Sequence, residues 1–102
     1  MERNKGLSGQ DICRAAVERW GAEAQTRMAA EEMAELVIEL CRQLRGRSSQ
    51  AAIAEEIADV RIMLDQMELL YDCVGEAAQI KRRKLARLAQ RLKMESKGGD
   101  QN

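Results

Sequence analysis

The sequence contains no histidine, no proline and no phenylalanine, and it has only one tryptophan and one tyrosine among 102 residues. Without histidine the chain cannot form a histidine-assisted nucleophilic triad, a mixed Cys/His zinc site or the Glu-x-x-His motifs of di-iron bundles. The low aromatic content requires an aliphatic core. These absences leave few classes of enzyme open, and they favour chemistry based on carboxylates.

Cysteines are few and scattered. The three positions, Cys13, Cys41 and Cys73, form no C-x-x-C pair, and their number is odd. A disulfide framework or a structural zinc site is therefore not expected. We predict three small buried side chains in a reducing cytosol, and hence a cytoplasmic protein. No apolar run approaches the ~18 residues of a membrane span, so no membrane partner is expected.

Strong helix formers dominate the composition, since the chain is rich in Ala, Leu, Glu, Arg, Ile and Met. We predict an all-α fold in one domain, resembling a four-helix bundle. The expected domain spans residues 11–95, between a flexible N-terminus (1–10) and a disordered tail (96–102). The predicted helices cover 11–20 with Asp11 as N-cap, 22–45 with Gly46 as C-cap, 50–72 capped by Ser48 or Ser49, and a fourth from the break at Gly75 to just before Lys97.

Apolar residues recur at helical spacing in the two central helices. We predict that these stripes are the buried faces, formed by Met33, Leu36, Val37, Leu40 and Leu44 in the second helix and by Ile53, Ile57, Val60, Leu64, Met67 and Tyr71 in the third.

Two acidic clusters lie in these same helices. The first reads Glu31-Glu32-Met33-Ala34-Glu35, and the second reads Glu55-Glu56-Ile57-Ala58-Asp59. In each, two carboxylates stand three residues apart, Glu32 with Glu35 and Glu56 with Asp59, so they project from one side of a helix. If the helices pack side by side, four carboxylates converge. Hard oxygen ligands of this kind suit Mg²⁺, or alternatively Mn²⁺.

Helical projection places two of these acids among apolar residues. Glu56 falls between Met63 and Met67, and Glu32 falls between Met28 and Leu36. Unpaired buried carboxylates cost roughly several kcal/mol per ion, and a divalent cation removes that cost and the mutual repulsion together. A metal site is the first interpretation, and a buried ion pair with the basic fourth helix is its main rival.

The C-terminal part of the chain is strongly basic. Between Lys81 and Lys97 there are eight lysines and arginines against one acid, Glu95. This asymmetry favours a bound anion or an acidic partner, and a solvated basic face is the alternative interpretation. Nucleic-acid binding is not expected from it.

The acidic motifs resemble the MazG-like all-α nucleoside triphosphate pyrophosphohydrolases. The family pattern EExxE, a gap of about twenty residues and ExxD appears here as Glu31-Glu32-x-x-Glu35 and Glu56-x-x-Asp59. The surroundings are also similar, with Trp20-Gly21 and Gln25 upstream, Ala34-Glu35-Leu36 within the first motif and Ile57-Ala58-Asp59-Val60 within the second. The similarity extends over residues 20–92.

The resemblance implies Mg²⁺-dependent cleavage of (d)NTPs between the α and β phosphates, giving a monophosphate and pyrophosphate. It implies metal ligation by Glu32, Glu35, Glu56 and Asp59, and a site built between the subunits of a homodimer or homotetramer. The purpose expected is removal of non-canonical or surplus nucleotides.

Phosphate-binding residues also follow from the resemblance. It points to a C-terminal Lys and Arg, matched best by Lys84 and Arg87, with Arg83 and Arg91 as competitors. We place Gln25 and Trp20 with them as substrate-binding candidates. Trp20 either stacks on a nucleobase or covers an edge of the core.

The general base is not assigned by the sequence. Glu31 or Glu35 is placed, by position alone, to orient the attacking water, and both are the catalytic candidates. No P-loop is present. The second functional hypothesis is a non-catalytic helical module that dimerises through its aliphatic stripe and leaves the acids as surface charge.

Overall fold

The computed structural model describes residues 6–100, with side chains described through residue 95. Four α-helices and no strands occur in this range, in agreement with the predicted all-α class. The chain divides after Asp72 into two units. The first contains α1 (Gly9–Trp20), α2 (Ala22–Leu44) and α3 (Gln50–Leu70), and the second contains α4 (Val74–Asp100).

Helix α1 begins with a reciprocal cap. The Asp11 backbone N–H donates to Ser8 Oγ at 3.0 Å, and the Ser8 backbone N–H donates to Asp11 Oδ2 at 3.1 Å. Ser8 is therefore the N-cap, and the prediction that Asp11 caps this helix is wrong, because Asp11 occupies the third helical position of a capping box. The predicted interruption at Gly21 is confirmed, with φ at 90° between α1 and α2.

A tight connection joins α2 to α3. Gly46 has φ 71°, and the Arg47 N–H donates to the Arg42 carbonyl at 2.9 Å, as in a Schellman motif. Ser49 caps α3, since its Oγ accepts from the Ala52 N–H at 3.1 Å. The predicted roles of Gly46 and Ser49 at this connection are confirmed.

This connection supplies a stability test. An alanine at Gly46 meets no steric obstacle, but its Cβ is disfavoured at positive φ. We expect Gly46→Ala to reduce the free energy of unfolding by about 1 kcal/mol, and Gly46→Asn to cost less, because asparagine tolerates the left-handed region. Urea unfolding followed by circular dichroism measures both, and equal losses for the two variants would contradict the conformational explanation.

Helices α2 and α3 are antiparallel. Thr26 contacts Tyr71, Glu32 lies beside Asp59, and Glu39 contacts Ser48, so ascending positions on α2 meet descending ones on α3. This pair packs more extensively than any other pair of helices in the described residues, and α1 packs on both.

Polar residues are prominent in the seam between α2 and α3. The positions of low exposure recur at spacings of four and three residues, which is the seam pattern of packed helices. The row with this spacing consists of Gln25, Ala29, Glu32, Leu36 and Glu39 on α2 and of Ala52, Glu56, Asp59, Met63, Gln66 and Leu70 on α3, and Thr26, Ile53, Val60 and Met67 beside it are also half-buried or buried. This seam places acids and amides where a helix pair normally has aliphatic side chains.

The predicted buried stripes are largely exposed. Val37 is 59% exposed, Leu44 is 88% exposed and Leu64 is 44% exposed. The prediction that these stripes form the core is wrong for most of their members, although Val60 is buried. Apart from Leu36, which is itself a half-buried seam residue, most of them lie one position after a seam residue, and that offset turns them away from the partner helix. Cys41 is also exposed, contrary to prediction, whereas Cys13 is buried.

Helix α4 begins earlier and ends later than predicted. It starts at Val74, so Gly75 lies in its first turn, and the break falls at Tyr71–Cys73, where Asp72 has φ 52°. The helix continues through Gly98 and Gly99 to Asp100. The expected flexible ends stay predictions, since residues 1–5 and 101–102 lie outside the described part. None of the described helices is long and apolar enough to cross a bilayer.

Candidate metal site

Three carboxylates converge at the centre of the seam. Glu32 from α2 and Glu56 and Asp59 from α3 each offer an oxygen, and these oxygens lie within 4.8 Å of one another. Glu56 and Asp59 stand three residues apart, so one turn of α3 presents both to α2. Three of the four predicted metal ligands are therefore brought together.

One oxygen of this cluster is shielded from solvent and has no hydrogen-bond partner among the described residues. Glu56 Oε2 is buried and accepts no hydrogen bond from any residue in the described part of the chain. Among the described residues 6–72, no arginine or lysine forms an ion pair with Glu32, Glu56 or Asp59. A buried carboxylate oxygen normally has a donor or a cation, because its desolvation is otherwise uncompensated. The oxygen-only donor set and this unpartnered atom both fit a hard divalent cation such as Mg²⁺.

Electrostatics within the cluster favour protonation. Burial raises the pKa of Glu56, and the negative charges of Asp59, Glu32 and Glu35 raise it further. Burial is also the main cause of the raised pKa of Glu32, followed by the charges of Asp59 and Glu35. Both causes penalise the ionised carboxylate, which is the form that binds a cation.

Because the pKa values of Glu32 and Glu56 are raised, the stability of the fold should depend on pH. A carboxyl whose pKa is higher in the folded state stabilises the fold below its unfolded pKa, near 4.5, and that stability is lost as the pH rises through the folded pKa. In EDTA, we therefore expect Glu32 and Glu56 to lower the melting temperature as the pH rises from about 4.5 toward neutrality. Excess Mg²⁺ should oppose the loss, because the cation binds the ionised form.

Thermal unfolding is measured across this pH range for the wild type and for Glu56→Gln. The difference between the two proteins separates the contribution of the Glu56 carboxyl from that of the other acids. The variant should show a shallower decline in EDTA and a smaller gain from Mg²⁺. Identical pH profiles for the two proteins would mean that the Glu56 carboxyl does not titrate as argued.

Glu39 extends the acidic row and was not among the predicted ligands. It lies seven residues after Glu32, its side chain is 14% exposed, and its charge also raises the pKa of Glu56. Ser48 Oγ donates to Glu39 Oε2, and Arg42 lies 3.7 Å from Glu39 Oε1. Its spacing of seven residues from Glu32 is the sequence signal that could have identified Glu39. Its oxygens already have protein partners, unlike Glu56 Oε2.

The remaining predicted acids lie at the edge of the cluster. Glu31 and Glu35 are exposed, and neither belongs to the group of oxygens within 4.8 Å. The charge of Glu35 nevertheless raises the pKa of both Glu32 and Glu56. Glu35 is thus near the site without joining the triad, and its predicted part in metal binding and catalysis stays a prediction, as does that of Glu31.

An open depression adjoins the triad. It measures about 230 Å³ and is lined by Met28, Ile62 and Met63 together with Glu32 and Asp59. Two carboxylates therefore form one wall, and apolar side chains form the rest. A molecule with an anionic end and an apolar end fits this lining, provided that a cation bridges its anionic end to the carboxylates.

The other candidates in the α1–α3 unit have different environments. Trp20 is 63% exposed, so most of its side chain faces solvent. Gln25 is only 4% exposed and lies inside the unit, away from the surface that meets solvent. Gln66, which the sequence analysis missed, is 6% exposed and has a buried Oε1 without a partner. The substrate roles predicted for Trp20 and Gln25 stay predictions.

Helix α4 carries the predicted phosphate-binding pair. Lys84 and Arg87 line one depression of about 180 Å³, together with Arg83 and Ile80. The structure thus groups the predicted pair with Arg83, one of the two competitors. Three cations around one concavity form a surface suited to an anion.

No known protein family, characterised protein or solved structure matches the chain.

Proposed function

We propose that the protein is a divalent-cation-dependent nucleoside triphosphate pyrophosphohydrolase. The observation that carries this proposal is the triad of Glu32, Glu56 and Asp59 in the α2–α3 seam, with a buried Glu56 oxygen that has no partner. A seam of this kind is costly for a purely structural protein, because it replaces apolar contacts with repelling carboxylates. The cost is offset if the carboxylates hold a cation.

Mg²⁺ is the proposed cation, with Mn²⁺ as a substitute. Glu32, Glu56 and Asp59 would hold it, and Glu35 stays the fourth candidate ligand on the strength of the motif resemblance. A bound divalent ion supplies charge neutralisation for phosphate oxygens and lowers the pKa of a coordinated water. The chain's own part is to position the ion and to orient the substrate against the apolar wall that Met28 and Met63 form.

Phosphoryl chemistry fits this residue set better than other hydrolytic reactions. It requires positioning and charge stabilisation rather than a protein nucleophile. The absence of histidine removes the usual base for an acyl-transfer triad. The resemblance of the EExxE and ExxD motifs adds the (d)NTP substrate and the products, a monophosphate and pyrophosphate. Within this proposal the reaction serves to remove surplus or non-canonical nucleotides in the cytoplasm.

Substrate charge is the reason to include α4 in the proposal. A triphosphate approaching several carboxylates is repelled unless cations contribute. Lys84 and Arg87 offer that contribution around one concavity. We include a homodimer or homotetramer in the proposal, because the resemblance implies a site assembled from more than one copy.

The direct test is pyrophosphate release from a mixed dNTP pool by the full-length protein with Mg²⁺, compared with an EDTA control. The proposal expects release that requires the cation and gives nucleoside monophosphates in equal amount. Release of inorganic phosphate instead would indicate cleavage at another anhydride bond. No cation-dependent release from any nucleotide would remove the enzymatic proposal.

The exposed apolar stripes favour a second candidate, a helical interaction module without catalysis. Val37, Leu40 and Leu44 are each at least 45% exposed, which is typical of a surface that meets another protein. The two candidates differ at the seam. An interaction module has no requirement for Mg²⁺, whereas the hydrolase should gain thermal stability from it.

A further inference from the structure

The carboxylate triad occupies one level of the α2–α3 seam, and the seam continues beyond it. Because the helices are antiparallel and Glu32 lies beside Asp59, equal steps back along α2 and forward along α3 reach facing positions. Four residues from the triad, these positions are Met28 and Met63, and both line the depression beside the carboxylates, in agreement with this register. The depression therefore extends from the carboxylates along the seam.

The next level of the seam consists of two glutamines. Three residues further along each helix lie Gln25 on α2 and Gln66 on α3, about 10 Å along the helices from the carboxylates. They are 4% and 6% exposed, and among the residues whose side chains the structure describes no other polar residue is as deeply buried. The seam is thus arranged in successive levels of carboxylates, methionines and carboxamides.

Gln66 carries a hydrogen-bond acceptor that the fold does not use. Its Oε1 is buried and has no hydrogen-bond partner in the described part of the chain. A buried carboxamide oxygen normally accepts from a donor, because its desolvation is otherwise uncompensated. Methionine or leucine fills a similar volume in a helix seam without this penalty. A ligand with a donor at this point removes the penalty.

The Gln66 side chain lies beyond the end of the depression that is farthest from the acids. In helical projection Gln66 falls between Ile62 and Met63, about 40° from the first and about 60° from the second, and one turn further along α3. Both of those residues line the depression. Methionine is unbranched and has three rotatable bonds, so Met28 and Met63 can move aside and let the edge of a ligand reach Gln66.

We propose that Gln66 is a specificity-determining residue, whose Oε1 accepts a hydrogen bond from an N–H on the edge of the substrate's nucleobase. This role rests on the proposed nucleotide chemistry and adds the position of the base to it. A nucleotide that lies along the seam has its phosphates at the level of the carboxylates and its base at the levels beyond. Met28 and Met63 then contact the ring of the base, since thioethers pack well against aromatic rings.

Two kinds of N–H donor meet this description. Adenine and cytosine carry an exocyclic amine, uracil and thymine carry a ring imide, and guanine carries both. A glutamine oxygen accepting from the amine of adenine is a recurrent contact in nucleic-acid complexes. A base without the donor leaves Gln66 Oε1 buried and unpaired in the complex, and a site built for a hydrogen bond rejects such a ligand strongly. The expected property is discrimination by a single N–H.

Calorimetric titration of the full-length protein tests this role with Mg²⁺ and non-hydrolysable dNTP analogues, so that binding is measured independently of turnover. Each base is compared with a version that lacks the donor. These versions are 2-pyrimidinone for cytosine, unsubstituted purine for adenine, and ring-N-methylated thymine and guanine. For the preferred base, loss of the donor should raise the dissociation constant about 100-fold. The pair that shows the loss distinguishes an amine from an imide.

Gln66→Met supplies the second half of the test. Methionine has a similar volume and no carboxamide, so the preferred base and its donor-free version should bind this variant equally. The melting temperature of the unliganded variant should rise, because a buried unpaired oxygen is removed. Mg²⁺ affinity in the absence of nucleotide should be unchanged, since the carboxylates are intact. The matched control is Gln43→Met, because Gln43 is exposed on α2, and this variant should keep the full discrimination.

The outcomes separate this role from the proposed hydrolysis. Equal binding of every base and its donor-free version by wild type overturns the role of Gln66 and leaves hydrolysis standing. Discrimination that persists in Gln66→Met does the same, because another residue then contacts the base edge. A crystal structure of the nucleotide complex in which Gln66 bonds only an ordered water also overturns it.

Two further outcomes concern the nucleotide itself. If no nucleotide binds, the role of Gln66 and the proposed substrate are both wrong. Discrimination that requires Gln66 without any pyrophosphate release supports the role and removes the hydrolase proposal. If Gln66→Met does not fold, the wild-type comparison of bases together with the crystal structure of the complex decides.

Discussion

Replacing Glu56 with glutamine should abolish the response to Mg²⁺ and reduce pyrophosphate release by more than 100-fold. Glutamine keeps the shape of the side chain and removes the charge from the one carboxylate with a buried, unpartnered oxygen. Loss of a residue that hydrogen-bonds a metal ligand typically reduces metal affinity or activity by about 10–100-fold. Loss of a ligand itself should therefore reduce them further. Isothermal calorimetry and the Mg²⁺-induced rise in melting temperature measure binding separately from activity.

The same substitution should stabilise the metal-free protein at neutral pH. It removes an ionised group that is partly desolvated and that lies near Asp59 and Glu32. A gain in metal-free stability together with a loss of activity distinguishes this role from simple damage to the fold. Glu55→Gln is the control, because Glu55 is the adjacent residue and is exposed. Unchanged Mg²⁺ affinity in Glu56→Gln would show that the proposed site is wrong.

The helices were predictable because their signals are local. Gly21, Gly46 and Ser49 mark boundaries by backbone conformation or side-chain capping, and the structure uses all three. Gly75 carried the same signal and was misleading, because glycine is tolerated in the first turn of a helix. Ser8 was missed because Asp11, three residues on, is equally suited to cap a helix in isolation.

The core was not predictable from periodicity alone. On α2, the seam residues and the exposed aliphatic residues have the same spacing and differ by a shift of one residue, so hydropathy selects the more apolar of the two sets. That set contains Val37 and Leu44, whereas the packed set contains Glu32 and Glu39. A protein that buries acids for a function and leaves its aliphatic stripe for a partner reverses the usual assignment.

The acidic site was predicted in part. Convergence of Glu32, Glu56 and Asp59 followed from the spacing within each helix together with antiparallel packing. Glu35 lies outside the triad because it precedes the seam residue Leu36 by one position, which turns it about 100° away from the seam. Glu39 takes a more enclosed position, since a step of seven residues brings it back to the seam. Which acids share a seam depends on the neighbouring helix, and that information is not local.

Removing either cation of the α4 concavity should weaken catalysis without weakening the metal site. Lys84 and Arg87 line one depression with Arg83. If this concavity holds substrate phosphates, Lys84→Ala and Arg87→Ala should each lower kcat/KM by about ten-fold or more, a loss of ~1.4 kcal/mol in transition-state binding. Mg²⁺ affinity should be nearly unchanged, because no carboxylate of the triad is altered.

The control for this pair is Arg82→Ala. Arg82 has the same charge and lies on the same helix, but it projects about 160° away from Lys84 and does not line the depression. A general effect of net charge lowers kcat/KM in all three variants alike and weakens with added salt in all of them. A phosphate contact lowers it only in Lys84→Ala and Arg87→Ala, in steady-state pyrophosphate release over a dNTP titration. Wild-type kcat/KM in both would exclude them as phosphate ligands and leave Arg83, on the same concavity, as the residue to replace.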